Sequence, residues 1–327
     1  MSLNSETFWQ SLLEHVSMAD IIKENEELNN HIKNDVKKTL QWKFPNTPLQ
    51  VRLFGSRIMG VGRSESDLDI FVVIGNSSGV YNEKLTPNVH FNLRTIVSAI
   101  LDNKTKWELT SVLDRTFPLV TVLHKGTNIK CDINFLNRMS CDQNQLVNYI
   151  FKLQPIARYM VIFLRAWSQK HGLSRCFRSH IFILLVIFFL QVQGHLPAIK
   201  DLQTDLVPNV APWTSNFHEF PLSKFGMKEI GVNENKTRQI LHEFFKLYST
   251  FPFHELVVCP YLGKRIFRRK LKDLMPPWFK YPVKSPVFIQ DLILLDHNKG
   301  RIIKPHNLWN FQDQCRNMGY WNMQKPQ

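Results

Sequence analysis

The chain has 327 residues, 44% of them hydrophobic, and a formal net charge of +14 at neutral pH. That length and hydrophobic share are enough for two domains with cores of their own and exclude disorder as the default state. The positive field repels other cations and implies a polyanionic partner, which on composition is either a phosphate backbone or an anionic membrane surface.

From Ser5 to about Trp42, Phe8, Leu12, Leu13, Val16, Ile21 and Ile22, then Ile32, Val36 and Leu40, recur at helical spacing and predict two or three helices. Pro45 and Pro48 end them, and Leu49–Phe54 alternates as a first strand. A Gly55-Ser56 turn follows, then a linker, then a second strand over Ser66–Val73 that carries Asp67 and Asp69. Side chains of a strand alternate faces, so both carboxylates point one way while Leu68 and Ile70 point into a core. Two carboxylates about 7 Å apart along a strand can bracket two divalent cations roughly 3.5–4 Å apart, an arrangement suited to in-line phosphoryl transfer. Gly55 has no Cβ and lets the backbone approach a ligand, Ser56 offers a hydroxyl to a phosphate oxygen, and Gly60 and Gly62 keep the next loop permissive.

Gly75 to Pro87 reads as loop and Val89–Leu101 as helix. Trp107–Leu113, Phe117–His124 and Ile129–Leu136 read as strands, with Lys125–Asn128 as a hairpin turn. On the last strand Asp132 is the expected third carboxylate, since an aspartate on the inner side of an alternating strand is costly unless paired or metal-bound. Asn134 shares its face. Asp114 is the competitor, but it precedes its strand beside Arg115, where a salt bridge suffices. From Gln143 to Val192 the pattern turns helical, with the domain change near Ser140. The apolar run Ile181–Leu190 is too short to span a bilayer and reads as a buried helix. A proline-dotted, loop-rich stretch follows His195 up to about Gly231, then a capped amphipathic helix over Asn233–Tyr248. Lys264 to Lys272 is a basic run with Phe267 interleaved, either tracking an RNA backbone or forming a solvated turn. The five cysteines have no close pairs, so they write neither a zinc site nor a disulfide framework, and a reducing compartment is the simpler reading.

Gly55-Ser56 with Asp67-Leu68-Asp69 resembles the active-site signature of nucleotidyltransferases related to DNA polymerase beta. Later motifs narrow the resemblance to the RNA-tailing branch, which holds cytoplasmic poly(A) polymerases and terminal uridylyltransferases, and it extends from about Asn34 onward. The implied fold is an α/β nucleotidyltransferase domain with a mixed sheet (34–140) and a mainly helical second domain (141–327). The active site is expected in the cleft, a nucleotide recognition loop at 285–301, and the N-terminal helices (1–33) against the second domain. In this family the positions of Asp67, Asp69 and Asp132 hold two Mg2+ ions, with Mn2+ as a substitute, and the third aspartate also helps deprotonate the RNA 3′-hydroxyl.

Phe163 to Lys170 resembles the family's Lys-x-Trp-x-x-Lys helix, which holds the triphosphate; Arg165 replaces the first lysine, while Gln169 occupies the second position and displaces Lys170 by one. Arg178-Ser179-His180 aligns with Ser-Ser-Tyr, which assigns Ser179 to phosphate and His180 to stacking on the base. Gly55 and Ser56 complete the phosphate contacts, and Asn144 falls where the ribose hydroxyls are contacted. Ile289 to Arg301 resembles the base-recognition motif, with Leu292 and Ile293 in place of Pro-Phe. It assigns Asp291 and His297 to the base, the histidine favouring uracil over adenine. Arg115, Asn134, Arg268 and Arg269 are the expected RNA contacts. The resemblance implies template-independent transfer of UMP from UTP to RNA 3′ ends. It further implies a cytoplasmic monomer without a membrane, working with a 3′-to-5′ exonuclease that acts on uridylated RNA. A poly(A) polymerase and an inactive RNA-binding scaffold remain the alternatives.

Overall fold

The computed structural model describes residue 3 and residues 5–75, 86–114, 118–136, 138–280 and 285–319. Arg115 therefore lies outside the described residues, as does Phe117. The chain divides into two compact units, Ser17–Gln145, and Met1–Val16 with Leu146–Gln327. The divisions fall inside helices Phe8–Glu24 (α1) and Met139–Leu153 (α5).

In the Ser17–Gln145 unit, helix Glu26–Gln41 (α2) starts where the Asn25 side chain accepts the Leu28 N–H. The remaining elements are Leu49–Phe54 (β1), a one-turn helix Gly55–Ile58 (α3), Leu68–Ile74 (β2), Pro87–Asp102 (α4), Trp107–Leu113 (β3), Leu119–His124 (β4) and Ile129–Asn134 (β5). The strands form a mixed sheet of order β1-β2-β5-β4-β3, in which β2 and β5 are parallel and the other pairs antiparallel. One face is apolar by alternation: Leu68, Ile70, Val72, Val120, Val122, Cys131 and Ile133 are buried with Ile32, Val36 and Leu40 of α2 and Leu93 and Ile96 of α4. The opposite face carries Asp69, Asp132 and Thr121. At the end of β5 the Asn134 side chain accepts the Leu136 N–H at 2.9 Å, so the strand stops at Asn134 rather than running on to Leu136.

The other unit is helical: Ile156–Lys170 (α6), Ser179–Val192 (α7), Ile199–Leu202 (α8), Glu234–Ser249 (α9), Leu271–Leu274 (α10) and Pro305–Gly319 (α11), with a two-stranded ribbon of Leu256–Val257 (β6) and Ile266–Phe267 (β7). Residues Ile181 to Gln191 of α7 are buried all round, as the unbroken apolar run requires. Trp167 sits 4.9 Å from Phe245, ring centre to ring centre, and edge-on to Phe182 and Phe311, while buried Tyr248 donates its hydroxyl to the Leu185 carbonyl at 2.7 Å. The N-terminal segment joins this core: Phe8 lies 5.6 Å from Phe163 and beneath the Arg238 guanidinium, which also donates to the Ser5 carbonyl. Among the described residues no helix is long and apolar enough to cross a membrane.

Gln154 is one of the side chains that tie down the loop-rich stretch between α7 and α9. Gln154, wholly buried after α5, donates to the carbonyls of His195 and Lys228 and accepts the Ile230 N–H. Replacing it with leucine orphans three backbone groups, so Gln154→Leu should cost on the order of 3 kcal/mol in urea unfolding; a loss within the error of the extrapolation would show that the loop does not depend on it.

Candidate active site

Parallel pairing sets Asp69 directly opposite Asp132, and Asp67 sits one residue before β2. The three predicted carboxylates are thus brought to one end of one sheet face. Thr121, opposite Asp132 on β4, donates its hydroxyl to Asp132 Oδ1 at 2.8 Å and fixes that carboxylate's orientation. Lys130 reaches Asp67 Oδ2 at 3.2 Å. Burial, then the charges of Asp132 and Asp67, push the Asp69 carboxyl up to about 7. A hard, all-oxygen donor set whose charges repel one another fits a divalent cation, which would relieve that repulsion. Asp114, the competing carboxylate, pairs with His90 at 3.1 Å.

Gly55 opens α3 at φ +82°, and a Cβ there would lie 1.8 Å from Asp69 Oδ2. The glycine is required as much by the neighbouring carboxylate as by any ligand. Its N–H donates to Asn144 Oδ1 at 2.9 Å. Asn144 is buried, and this bond holds the Gly-Ser turn in place. Ser56 is half-buried in the first turn of α3. Arg57, which sequence reasoning passed over, is buried and donates from Nη1 to the Ser66 carbonyl at 3.0 Å, steadying the chain just before Asp67.

In the helical unit, Arg165 is half-buried and Lys170 exposed on α6. Ser179 is the first residue of α7, whose N-terminus no side chain caps, so its amide end favours phosphate. His180 retains accessible surface, yet the surrounding protein, then the charges of Lys299 and Arg178, drive its imidazole down to about 4, with Asp291 opposing. The fold therefore gathers the α7 start and the recognition loop in one neighbourhood of this unit.

Within that loop Asp291 is buried, accepts the Ile293 and Leu294 N–H groups at 2.8 and 2.9 Å, and pairs with Lys299 at 2.7 Å. Burial alone would raise its carboxyl; Lys299 and the two amides hold it below the ordinary range. These bonds make Asp291 the residue that fixes the turn of the 285–301 loop. Asn298 does similar work, accepting the Ile289 and Gly300 amides and donating to the Val287 carbonyl. Leu292 and Ile293 are core residues. His297, half-buried, stands 3.7 Å from Asp296.

Of the expected RNA contacts, Arg268 is half-buried. Its guanidinium donates to the carbonyls of Phe253, Ser285 and Pro286, bracing the β7 turn. Arg269 is exposed over the Phe267 ring, and Asn134 is half-buried beside Asp132.

Residues 8–152 match the family model of the mitochondrial-like poly(A) RNA polymerase central palm domain. The chain is 26% identical over 254 residues to the speckle targeted PIP5K1A-regulated poly(A) polymerase of Xenopus tropicalis, covering 73% of this chain and 29% of that protein. It is 24% identical over 293 residues to human terminal uridylyltransferase 7, covering 84% of this chain and 18% of that protein. The chain thus spans less than a third of the length of either relative. Among solved structures, the crystal structure of mtPAP in complex with UTP superposes with a TM-score of 0.75 at 22% identity, covering 96% of this chain and 68% of that one. The fold is that of the polymerase-beta-like nucleotidyltransferases. The palm-domain match is confined to residues 8–152, and the relatives include both a poly(A) polymerase and a terminal uridylyltransferase.

The raised Asp69 carboxyl has a consequence for stability in chelator. Between its ordinary value of 3.8 and about 7 the folded chain holds a proton that the unfolded chain releases, so stability falls as pH rises through that window. Asp69→Asn removes the charge and should be more stable than the parent at pH 8, by on the order of a few kcal/mol, with the gap closing as pH approaches 4. Equal unfolding midpoints for the two chains at pH 8 would contradict this.

Proposed function

We propose that the protein is a template-independent terminal uridylyltransferase that adds UMP from UTP to RNA 3′ ends and releases pyrophosphate. The observation that carries the transferase reading is the side-by-side register of Asp69 and Asp132, with Asp67 adjacent and the Gly55-Ser56 turn packed against Asp69. Asp67, Asp69 and Asp132 are the residues that would hold two Mg2+ ions, or Mn2+ in their place. Bound there, such ions would lower the pKa of the attacking hydroxyl and stabilise charge on the leaving pyrophosphate. Asp132, its Oδ1 steadied by Thr121, accepts the proton of the RNA 3′-hydroxyl as that oxygen attacks the α-phosphorus. Ser56, Arg165 and the Ser179 end of α7 bind phosphate oxygens, with Lys170 in reserve on the exposed face. His180, neutral at physiological pH, offers a flat ring for the base to stack on.

His297 supports UTP over ATP by its place in the recognition loop, where an imidazole beside a carboxylate can match the carbonyl and N–H groups of uracil and crowd out a purine. The same reading places the chain near the fly terminal uridylyltransferase Tailor. The same reading makes the protein a cytoplasmic monomer whose oligouridine tails mark RNA for a 3′-to-5′ exonuclease. A poly(A) polymerase is the second reading, favoured by the Xenopus relative.

Incubating the protein with labelled RNA and each NTP in turn should give extension with UTP well above that with ATP, CTP or GTP. Preferential use of ATP moves the protein to the second reading, and no extension with any nucleotide in Mg2+ or Mn2+ removes both. His297→Ala should lower the UTP-to-ATP ratio of kcat/KM by roughly tenfold while total activity survives. An unchanged ratio would reject the role given to this histidine.

A further inference from the structure

Three side chains apart from the acidic site converge on one point. Asp35 and His31 lie one helical turn apart on α2, and His124 ends β4. Among the described residues, these three offer ligand atoms all within 4.8 Å of one another. We propose that His31 Nε2, Asp35 Oδ2 and His124 Nε2 form a zinc site, independent of the catalytic carboxylates.

The distances carry this. His124 Nε2 stands 3.2 Å and His31 Nε2 3.7 Å from Asp35 Oδ2. Ligands about 2.0–2.1 Å from a tetrahedral zinc are separated by about 3.3 Å, so two edges of the coordination figure are in place within a few tenths of an ångström. Two imidazoles and one carboxylate suit Zn2+, whereas Mg2+ demands oxygen ligands, so the donors separate this site chemically from Asp67, Asp69 and Asp132. His31 is 56% exposed, which gives a path from solvent and room for a water as fourth ligand.

The surrounding groups orient the ligands. Lys106 bonds Asp35 Oδ1 and leaves Oδ2 to face both imidazoles. His124 Nδ1 lies 2.8 Å from Thr127 Oγ1, a hydroxyl that can donate or accept. In the metal-free protein His124 Nε2–H can donate to Asp35; with zinc bound, Nδ1–H donates to Thr127 and Nε2 presents its lone pair to the metal. Trp107 packs 4.8 Å from the His124 ring and donates its indole N–H to Thr39, and edge-on contact with His31 completes the fit. Burial alone would raise the Asp35 carboxyl, but the bonds from Lys106 and His124 hold it below its ordinary range, so the ligand is ionised at neutral pH. Lys106 is 42% exposed and can swing to solvent when the site takes up a dication. A bound ion would staple α2 to the end of β4.

Titrating the metal-stripped chain with Zn2+ in excess Mg2+, and with Co2+ as a spectroscopic substitute, tests this. The expected result is one equivalent of Zn2+ bound with micromolar or better affinity, and a visible d–d band typical of four-coordinate Co2+. Zn2+ should also raise the unfolding temperature. Asp69→Asn should keep all three effects. His31→Ala, at an exposed position, should keep the fold by circular dichroism yet bind Zn2+ at least tenfold more weakly and lose the band, and His124→Ala should behave alike. No stoichiometric Zn2+ binding by the parent chain would overturn the proposal, as would equal binding by parent and His31→Ala.

Discussion

Two negatively charged side chains, Asp69 and Asp132, are held side by side by the parallel pairing of β2 with β5, and much of the palm unit follows from that placement. A pair of like charges on neighbouring strands is unfavourable in itself, which is why the Asp69 carboxyl is pushed up to about 7. It persists because the opposite face of the same strands, through Leu68, Ile70, Cys131 and Ile133, packs on α2 and α4. Parallel pairing also demands a long crossover, supplied here by α4 and the β3–β4 hairpin, so that β5 returns beside β2 in the required direction. Gly55 is the local counterpart of this constraint, since no side chain fits between its Cα and Asp69.

Much of this was legible in the sequence because it is written with short periods. Leu49–Phe54 alternates and is a strand at those residues; Val89–Leu101 has helical spacing and lies within α4; Ile181–Leu190 is apolar throughout and is buried throughout. The third carboxylate could be chosen because Cys131 and Ile133 had to face the core, which left Asp132 on the other side. What the sequence hid are bonds between distant residues. Asn144 meets the Gly55 amide across 89 positions, and Asp35 meets His124 across the same number. Arg268 stands among basic neighbours in the sequence, which gives no sign that its Nη1 and Nη2 donate to carbonyls of residues 253, 285 and 286. Asp291 likewise carries a charge that a motif assigns to the ligand, while the fold uses it on backbone amides and Lys299.

The bonds of Asp291 show how the 285–301 loop holds its shape. A loop whose backbone is stitched by buried Gln290 and Asp291 and half-buried Asn298 keeps its shape whichever side chains project from it. On the proposed reading, selectivity rests on residues that project from this loop, of which His297 is one. Changing such a residue need not disturb the core residues Leu292 and Ile293 or the chemistry assigned to the three aspartates. This separation of scaffold from reading edge accounts physically for a single fold serving relatives that are poly(A) polymerases and others that are uridylyltransferases. Two proteins of this kind can share every metal-binding carboxylate and still differ in the base they add, because discrimination of a few kcal/mol is within the reach of one or two polar contacts in a preformed pocket.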